Sequence, residues 1–323
     1  MNHKGQHSIR FIQYFAMEPI RIELSLEIMF QSVNCYLIPG DQLTLVDCGY
    51  DSPDNWTSFC TALEKHGFAL QDIQQVIITH EHRDHVGLLP QIMEHCDAII
   101  RAPKAIEGWF KHPDQMKANY MPFIQQLYET IGFPPKMLEE SIAFVKQLRR
   151  YPKVKDLNRF VFFEAGDQLE IGHKKWEVWH TPGHCPTQHV FIQPEEKRIF
   201  GSDMLLPLTP MPIVSEDPQQ PGQAVRALSD LLHSFQKLIP LNLQRVYPGH
   251  GPVFDQANQI IQRQIARTQL RKEECLKVYR SGLTSVYQIH QKMYPYHSLP
   301  PNYSGIHMIL GYLDLLKAEG KLD

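Results

Sequence analysis

The segment THEHRDH, residues 79–85, concentrates side chains that can bind metal ions. It contains four candidate ligands: His80, His82, Asp84 and His85. Side chains two positions apart in an extended chain project to the same side, so His80 and His82 can reach one cation. Asp84 and His85 follow where the chain turns, and can reach a second position nearby. Imidazole and carboxylate ligands suit zinc, and also iron or manganese.

Two later loops repeat a pattern that can aim a histidine. Pro182-Gly183-His184 follows the apolar stretch WEVWH, and Pro248-Gly249-His250 follows LQRVY. Proline and glycine form tight turns, which would fix the direction of each imidazole. A third stretch, RIFGSD, ends at Asp203. Together with the first segment, these residues predict one metal centre built from seven side chains: His80, His82, Asp84, His85, His184, Asp203 and His250.

The segments that carry these residues read as strands alternating with helices. IRIELSLEIMF, SVNCYLIPG and QLTLVDCG alternate like strands, and QQVIITH and DAIIRA read as buried strands. A helix is predicted from Ser52-Pro53-Asp54 through Lys65. Strand patterns return in FVFFEAGDQLEIG, KKWEVWH, HVFIQ and KRIFGSD, followed by an amphipathic helix at 222–239. The order predicts an α/β fold with the ligands at strand ends.

From about Val33 to Pro252 the sequence resembles the metallo-β-lactamase superfamily, through NCYLI…LTLVDCG, THEHRDH, TPGH, GSD and PGHG. The resemblance implies an αββα sandwich and two metal ions. It implies that His80, His82 and His184 bind the first metal. It implies that Asp84, His85 and His250 bind the second, and that Asp203 bridges the two. Asp47 matches a supporting aspartate of that family, and a purely structural strand-end role is the alternative.

The chain is expected to divide into two domains. Residues 1–255 would form the catalytic domain, and residues 256–323 a small C-terminal helical domain with a helix near Asn258–Arg280 and a final helix near Tyr303–Glu319. The last helix, in IHMILGYLDLLKAEGKL, resembles the winged-helix-like tail of the LACTB2-like branch of the superfamily. A length of 323 residues suits one large domain with a smaller one.

Residues 104–158 are expected to form a helical insertion. The segment contains many aromatic residues, among them Trp109 and Phe123, and three proline-containing breaks at Pro113, Pro122 and Pro134-Pro135. A basic run follows: Lys146, Arg149, Arg150, Lys153, Lys155 and Arg159. Two interpretations stay open, a helical layer packed on the sheet and a lid over a substrate pocket.

Composition excludes several other classes of protein. Hydrophobic residues make up 43% and charged residues 21%, which indicates a packed core rather than disorder. The formal charge of −3 gives no reason to expect non-specific nucleic-acid or membrane binding. The six cysteines form no C-x-x-C pair, which favours reduced thiols in the cytoplasm. The apolar stretch Phe11–Met17 is too short for a signal sequence or a membrane span.

Three other residues near the motifs are left out of the metal set. Cys185 is expected to be a small packing residue rather than a nucleophile or ligand. His180 would point away from the neighbouring loop, and His189 is a candidate for an indirect role beside the ligands. The oligomeric state is not indicated by the sequence.

The predicted centre favours hydrolysis. Two divalent metals bring four positive charges, and Asp84, Asp203 and a metal-bridging hydroxide remove three, so that about one positive charge remains to stabilise an anionic transition state. Asp84 is the predicted catalytic residue, because it could orient the nucleophile or move its proton. The leading hypothesis is therefore a dinuclear metal-dependent hydrolase, with zinc as the first expectation, acting on a small ester, thioester or lactone.

Three alternatives remain at this point. A phosphodiesterase or ribonuclease acting on single-stranded RNA would use the basic stretches at 146–159 and 263–280. Iron-dependent redox chemistry occurs among relatives of the superfamily, but the di-iron members usually have Glu where this chain has His82. A non-catalytic binding protein is the fourth option, and the complete ligand set argues against it. No membrane partner is expected.

Overall fold

The computed structural model describes residues 18–26, 31–148, 153–208, 212–217, 220–295 and 303–322. Several predicted features therefore lie outside the described residues. They are the apolar stretch Phe11–Met17, the end of the first strand pattern at 27–30, and Arg149 and Arg150 of the basic run. Within the described ranges, no helix has both the length and the apolar character needed to cross a membrane.

Six strands form the first sheet, in the order β1-β2-β3-β4-β5-β6. The first two pairs are antiparallel, and β3 to β6 run parallel to one another. Parallel neighbours bring their carboxyl ends to the same edge, and the THEHRDH segment leaves the sheet at that edge. The strands are β1 Ile20–Ser25, β2 Ser32–Ile38, β3 Thr44–Val46, β4 Gln75–Ile77, β5 Ile99–Pro103 and β6 Phe160–Phe163.

The second sheet also has six strands, in the order β14-β13-β10-β9-β8-β7. Its neighbours are antiparallel except β10 and β13, which are parallel. A separate two-stranded ribbon pairs β11 Glu216–Asp217 with β12 Gln220–Ala224. The sheet strands are β7 Gln168–Ile171, β8 Lys174–His180, β9 His189–Gln193, β10 Arg198–Ser202, β13 Arg245–Pro248 and β14 Phe254–Asp255.

The two sheets face each other across an aromatic core. The ring of Tyr36 on β2 lies 5.6 Å from that of Phe200 and 5.5 Å from that of Tyr247, both on the second sheet. Neighbouring residues point to opposite faces, so Ile77 lies in this inner core and Val76 in the core beneath the helices. Helices cover both outer faces. The predicted αββα sandwich is confirmed.

The helices connect and flank these strands. Ser52 begins the first one, because its Oγ accepts a hydrogen bond from the backbone N–H of Asn55 at 3.1 Å, as the Ser-Pro-Asp pattern predicts. They are α1 Pro53–Lys65, α2 Arg83–Val86, α3 Leu89–His95, α4 Glu107–Lys111, α5 Pro113–Ile131, α6 Pro135–Leu148, α7 Ala227–Leu238, α8 Ala257–Arg280, α9 Val286–Met293 and α10 Tyr303–Ala318. Short 3₁₀ turns occur at Leu70–Asp72, Lys104–Ile106, Leu157–Arg159 and Ile239–Leu241.

Two local predictions were wrong. Pro122 was expected to break a helix, but it lies inside the continuous helix α5, where its ring removes only one backbone donor. The helix predicted at 222–239 begins later, at Ala227, and residues 220–224 form β12 instead. Gly222 has φ +82°, a left-handed conformation that a right-handed helix cannot contain.

The insertion is helical, as α4, α5 and α6, and most of its described aromatic residues are buried. Trp109 and Phe123 are each 7% exposed and belong to the main hydrophobic core. This placement favours the interpretation as a packed layer over that as a lid. The described part of the tail after β14 contains the helices α8, α9 and α10 and no strand. The division into two domains and the winged-helix-like character of the tail stay predictions.

Candidate metal centre

The predicted ligands come together at one edge of the sandwich, where backbone hydrogen bonds tie several of their loops to neighbouring segments. The N–H of Cys48 donates to the carbonyl oxygen of His85 at 2.7 Å, and that of His189 to the carbonyl oxygen of Thr79 at 3.1 Å. Gly249 N donates to the Ser202 carbonyl oxygen at 2.9 Å. These bonds join the loop after β4 to the loop after β3 and to the start of β9, and they join the loop after β13 to the end of β10. Both sheets therefore contribute to the centre.

One group of ligands gathers around His184. Its Nε2 lies 2.8 Å from Nδ1 of His82 and 3.3 Å from Oδ2 of Asp203. Ligand atoms of His80, His184 and Asp203 all lie within 4.8 Å of one another. The structure therefore brings together the three histidines that the sequence assigned to the first metal, with Asp203 beside them.

A second group gathers around His250. Ligand atoms of Asp84, His85 and His250 also lie within 4.8 Å of one another. Nε2 of His250 is 3.4 Å from Oδ2 of Asp84 and 3.2 Å from Oδ2 of Asp203. Because Oδ2 of Asp203 contacts both His184 and His250, this carboxylate lies between the two groups, where a bridging ligand has to lie.

In three of the histidines, the ring nitrogen Nδ1 is held by a partner outside the centre. Nδ1 of His85 lies 2.8 Å from Oδ2 of Asp47, and Nδ1 of His250 lies 2.7 Å from the backbone oxygen of Ser32. Nδ1 of His80 lies 3.0 Å from Oγ1 of Thr79. A carboxylate or a carbonyl accepts a proton from Nδ1, which leaves the lone pair on Nε2 for a metal. These contacts orient the imidazoles toward one another.

The buried polar atoms of the centre fit a pair of cations. Nε2 of His80, Nε2 of His85 and Oδ1 of Asp203 are buried and have no hydrogen-bond partner among the described residues. Nε2 of His85 and Oδ1 of Asp203 lie 3.4 Å from each other. Leaving such atoms without a hydrogen bond is unfavourable unless another group binds them. Nitrogen and oxygen donors in this number suit divalent metals.

The electrostatics of the two groups differ. Burial lowers the pKa of His80 well below its usual range, and His85 lowers it further. Burial also opposes protonation of His250, but Asp203 and Asp84 outweigh burial and raise its pKa to about 10. Burial raises the pKa of Asp203, whereas His250 and His85 lower it more, to well below its usual range. In the second group, the protonated ring of His250 therefore pairs with carboxylates. A metal ion can replace the positive charge of that ring.

The centre opens to solvent on the side of Asp84. The side chain of Asp84 is 25% exposed, whereas those of His85 and His250 are almost completely buried. His82 is also partly exposed. A substrate would therefore approach past Asp84 and His82.

Asp47 lies where the family resemblance placed it. Its Oδ2 contacts His85, and its Oδ1 accepts a hydrogen bond from the backbone N–H of Thr79 at 2.9 Å. Its backbone has φ +58°, an uncommon conformation for a residue other than glycine. The carboxylate therefore supports both the second group of ligands and the start of the THEHRDH loop.

The sequence interpretation missed a buried polar cluster beside the first group. Oγ1 of Thr187 donates a hydrogen bond to Oε2 of Glu81, and Sγ of Cys185 lies 3.4 Å from Oγ1 of Thr187. Cys185 is buried as expected, but a ligand-forming set with His80 and His82 includes its sulfur within 4.8 Å. In the sequence, the only indication of this cluster is Glu81, which lies between the ligand histidines His80 and His82.

The two histidines that were left out lie beside backbone carbonyls. Nε2 of His180 is 2.7 Å from the oxygen of Pro186, and Nδ1 of His189 is 2.8 Å from the oxygen of Thr187. Burial lowers the pKa of His189 to about 4. His189 therefore supports the loop that carries Thr187.

Comparison with known proteins gives one family. The family described as the metallo-beta-lactamase superfamily matches residues 28–250, which include all seven predicted ligands. The probable metallo-hydrolase YqjP of Bacillus subtilis is 25% identical over 299 residues, or 88% of this chain and 87% of that protein. The beta-lactamase-like protein 2 homolog of Caenorhabditis elegans is 25% identical over 255 residues, or 77% of this chain and 66% of that protein. The similarity to the LACTB2-like branch is thereby confirmed.

Two further comparisons extend these findings. The atrochrysone carboxyl ACP thioesterase dmxR1 of Cryptosporiopsis sp. is 23% identical over 273 residues, or 84% of this chain and 63% of that protein. The crystal structure of the metallo-beta-lactamase family protein TTHA1429 from Thermus thermophilus matches with a TM-score of 0.75 and 20% identity, covering 94% of each chain. That structural match shows the fold.

Proposed function

The chain belongs to the metallo-β-lactamase superfamily, and from this membership we propose that it is a dinuclear metal-dependent hydrolase of a small ester, thioester or lactone. The observation that carries the proposal is the convergence of seven side chains with nitrogen and oxygen ligand atoms in two neighbouring groups. Asp203 links the two groups, because its Oδ2 contacts both His184 and His250. Histidine-rich sites with open positions are typical of catalytic rather than structural metals.

The seven side chains would hold two divalent cations, with zinc as the first expectation. When bound, such cations act as Lewis acids and bring the pKa of a water molecule to about 7. The chain itself contributes the geometry. Asp47 and the Ser32 carbonyl fix the rings of His85 and His250, so the ligands need little rearrangement when a substrate arrives.

Asp84 is the proposed catalytic residue because it lies at the opening of the centre. Burial raises its pKa, but His85 and His250 outweigh burial and hold the pKa below its usual range. The group is therefore ionised at neutral pH. An ionised carboxylate at the mouth of the site can orient a water molecule by accepting a hydrogen bond from it.

The proposed substrate class draws support from a relative rather than from the insertion. The aromatic side chains Trp109 and Phe123 lie in the core, so they supply no apolar wall for an acyl group. The fungal relative named as an acyl-carrier-protein thioesterase makes thioesters the first substrates to test.

The six free cysteines suit a reducing compartment such as the cytoplasm.

The basic stretches give little support to the nuclease alternative, because several of their charges are used within the chain. Arg159 donates hydrogen bonds to the carbonyl oxygens of Met93, Cys96 and Ala98. Lys272 pairs with Glu319, and Arg271 pairs with Glu274. A strand of RNA needs an unpaired basic groove.

A substrate panel tests the proposal. Zinc-loaded protein should hydrolyse at least one of an aryl ester, a thioester or a lactone, and Asp84→Asn should lower kcat by at least about 100-fold. Glu139→Gln, at an exposed position of α6, is the matched control and should keep full activity. Cleavage of single-stranded RNA or a phosphodiester alone would overturn the substrate class. An inert, metal-loaded protein would overturn the proposal as a whole.

A further inference from the structure

The loop that carries His184 rests on helix α7. Gly183 has φ +141°, and a Cβ at this position would lie 2.4 Å from Cα of Leu231. The loop is therefore pressed against the helix backbone, and only glycine fits there. Oγ of Ser234, one turn further along α7, donates a hydrogen bond to the carbonyl oxygen of Pro182 at 2.8 Å.

Helix α7 in turn packs directly against the C-terminal helix α10. A Cβ on Gly311 of α10 would lie 2.5 Å from Cβ of Leu228, so the two helices approach as closely as glycine allows. Leu228 and Leu231 are both fully buried. A shift of α10 would therefore be passed through α7 to the loop of His184, because close-packed interiors transmit displacements.

A second connection joins helix α10 to His184 through hydrogen bonds. The N–H of Ile213 donates to the backbone oxygen of His184 at 3.0 Å. The N–H of the next residue, Val214, donates to Nδ1 of His307 on α10 at 3.0 Å. Val214 and His307 are both buried. An imidazole that accepts at Nδ1 is the neutral form with its proton on Nε2, so His307 acts here as a fixed acceptor.

We propose that His307 is a positioning residue for His184. By holding the Val214 N–H, it fixes the segment 213–214, and through Ile213 that segment fixes the backbone of the His184 loop. The C-terminal helix is then part of the metal centre's support rather than an appended module. This inference rests on the proposed role of His184 as a ligand.

Two variants of equal shape test the acceptor. His307→Asn keeps an oxygen acceptor near the position of Nδ1, whereas His307→Leu has the same branching without the acceptor. Zinc affinity is measured on the full chain by competition with a chromogenic chelator. We expect His307→Leu to weaken one of the two bound Zn²⁺ ions about five- to tenfold, less than the 10- to 100-fold typical of a direct partner of a ligand. His307→Asn should stay within about twofold of the wild type.

His290→Leu is the matched control, because His290 is also buried in the C-terminal helices, where its ring lies 5.3 Å from that of Tyr294. It should leave zinc affinity unchanged. Equal affinities for His307→Leu and His307→Asn would overturn the inference. So would an equal loss in His290→Leu, since that would indicate general destabilisation.

Amide hydrogen exchange supplies a test that does not depend on activity. In the wild type, Zn²⁺ should slow exchange in peptides covering 212–217 together with those covering 183–185, because coupling between sites is reciprocal. Slower exchange at 183–185 alone would overturn the inference. A wild type that binds no Zn²⁺ would overturn the proposed function. Even in that case the role of His307 can be tested without metal. Amide exchange at 212–217 should be faster in metal-free His307→Leu than in metal-free His307→Asn. Equal exchange rates in the two variants would overturn the inference.

Discussion

At the residue scale, the histidines of the centre are defined by both ring nitrogens. Nε2 of His85 and of His250 faces the carboxylates, while Nδ1 is held by Asp47 and by the Ser32 carbonyl oxygen. Such outer partners fix which nitrogen carries the proton, and their loss typically lowers metal affinity about 10- to 100-fold.

Replacing Asp47 tests this outer layer. In Asp47→Asn the amide loses the charge that holds the proton on Nδ1 of His85, so we expect the affinity for one of two metals to fall about 10- to 100-fold. Isothermal titration with Zn²⁺ measures the change. Asp72→Asn alters an exposed aspartate that caps a surface turn through the Ala69 N–H, and should bind as the wild type does. Unchanged affinity in Asp47→Asn would assign Asp47 a purely structural role.

The raised pKa of His250 predicts a pH dependence for the metal-free protein. Its protonated ring stabilises the fold fully below the ordinary value of 6.5, and that contribution is lost as the pH rises through about 10. The Tm measured with a chelator should therefore fall between pH 7 and 10. Burial opposes protonation and Asp203 is the largest factor that favours it, so Asp203→Asn should flatten the profile. An equally steep profile in this variant would contradict the account.

The sequence was informative about ligands and uninformative about their partners. The close spacing of His80, His82, Asp84 and His85 after a buried strand is typical of a metal site, and the structure brings these residues together. The Ser32 carbonyl, Thr187 and Glu81 could not be predicted, because a backbone oxygen or a hydroxyl becomes a partner only through the tertiary placement of its loop.

At the scale of elements, local signals succeeded where the chain is capped and failed where packing decides. Ser52 and Pro53 begin α1 as predicted, because a cap acts within one turn. Pro122 failed as a break because α5 buries Tyr120, Phe123 and Ile124 against the core, and this packing outweighs one missing hydrogen bond.

Phe123 tests the interpretation of the insertion as a packed layer. Truncation in Phe123→Ala leaves a cavity in the main core, so the free energy of unfolding should fall by about 3–5 kcal/mol with substrate preference unchanged. Urea denaturation measures the loss. Gln125→Ala, at an exposed position of the same helix, should stay within about 0.5 kcal/mol of the wild type. If Phe123→Ala kept its stability but changed its substrate selectivity, the interpretation of the insertion as a lid would be favoured.

At the scale of the whole molecule, the centre exists because two sheets meet. The loop after β4 in the first sheet supplies four ligands, and loops after β8, β10 and β13 in the second supply His184, Asp203 and His250. Strand patterns alone predicted an α/β fold with ligands at strand ends. The packing of two sheets on each other was predicted only by the resemblance to the superfamily, because no local pattern records which strands become neighbours over long separations.

Metal stoichiometry is the decisive measurement for a centre that holds two ions. Purified protein is loaded with Zn²⁺, separated from free metal by gel filtration, and analysed for zinc per chain, beside a His80→Ala/His250→Ala double variant whose fold is checked by circular dichroism. We expect two zinc ions per chain in the wild type and fewer than one in the folded double variant. Less than one zinc ion in the wild type, or two in both proteins, would contradict this expectation.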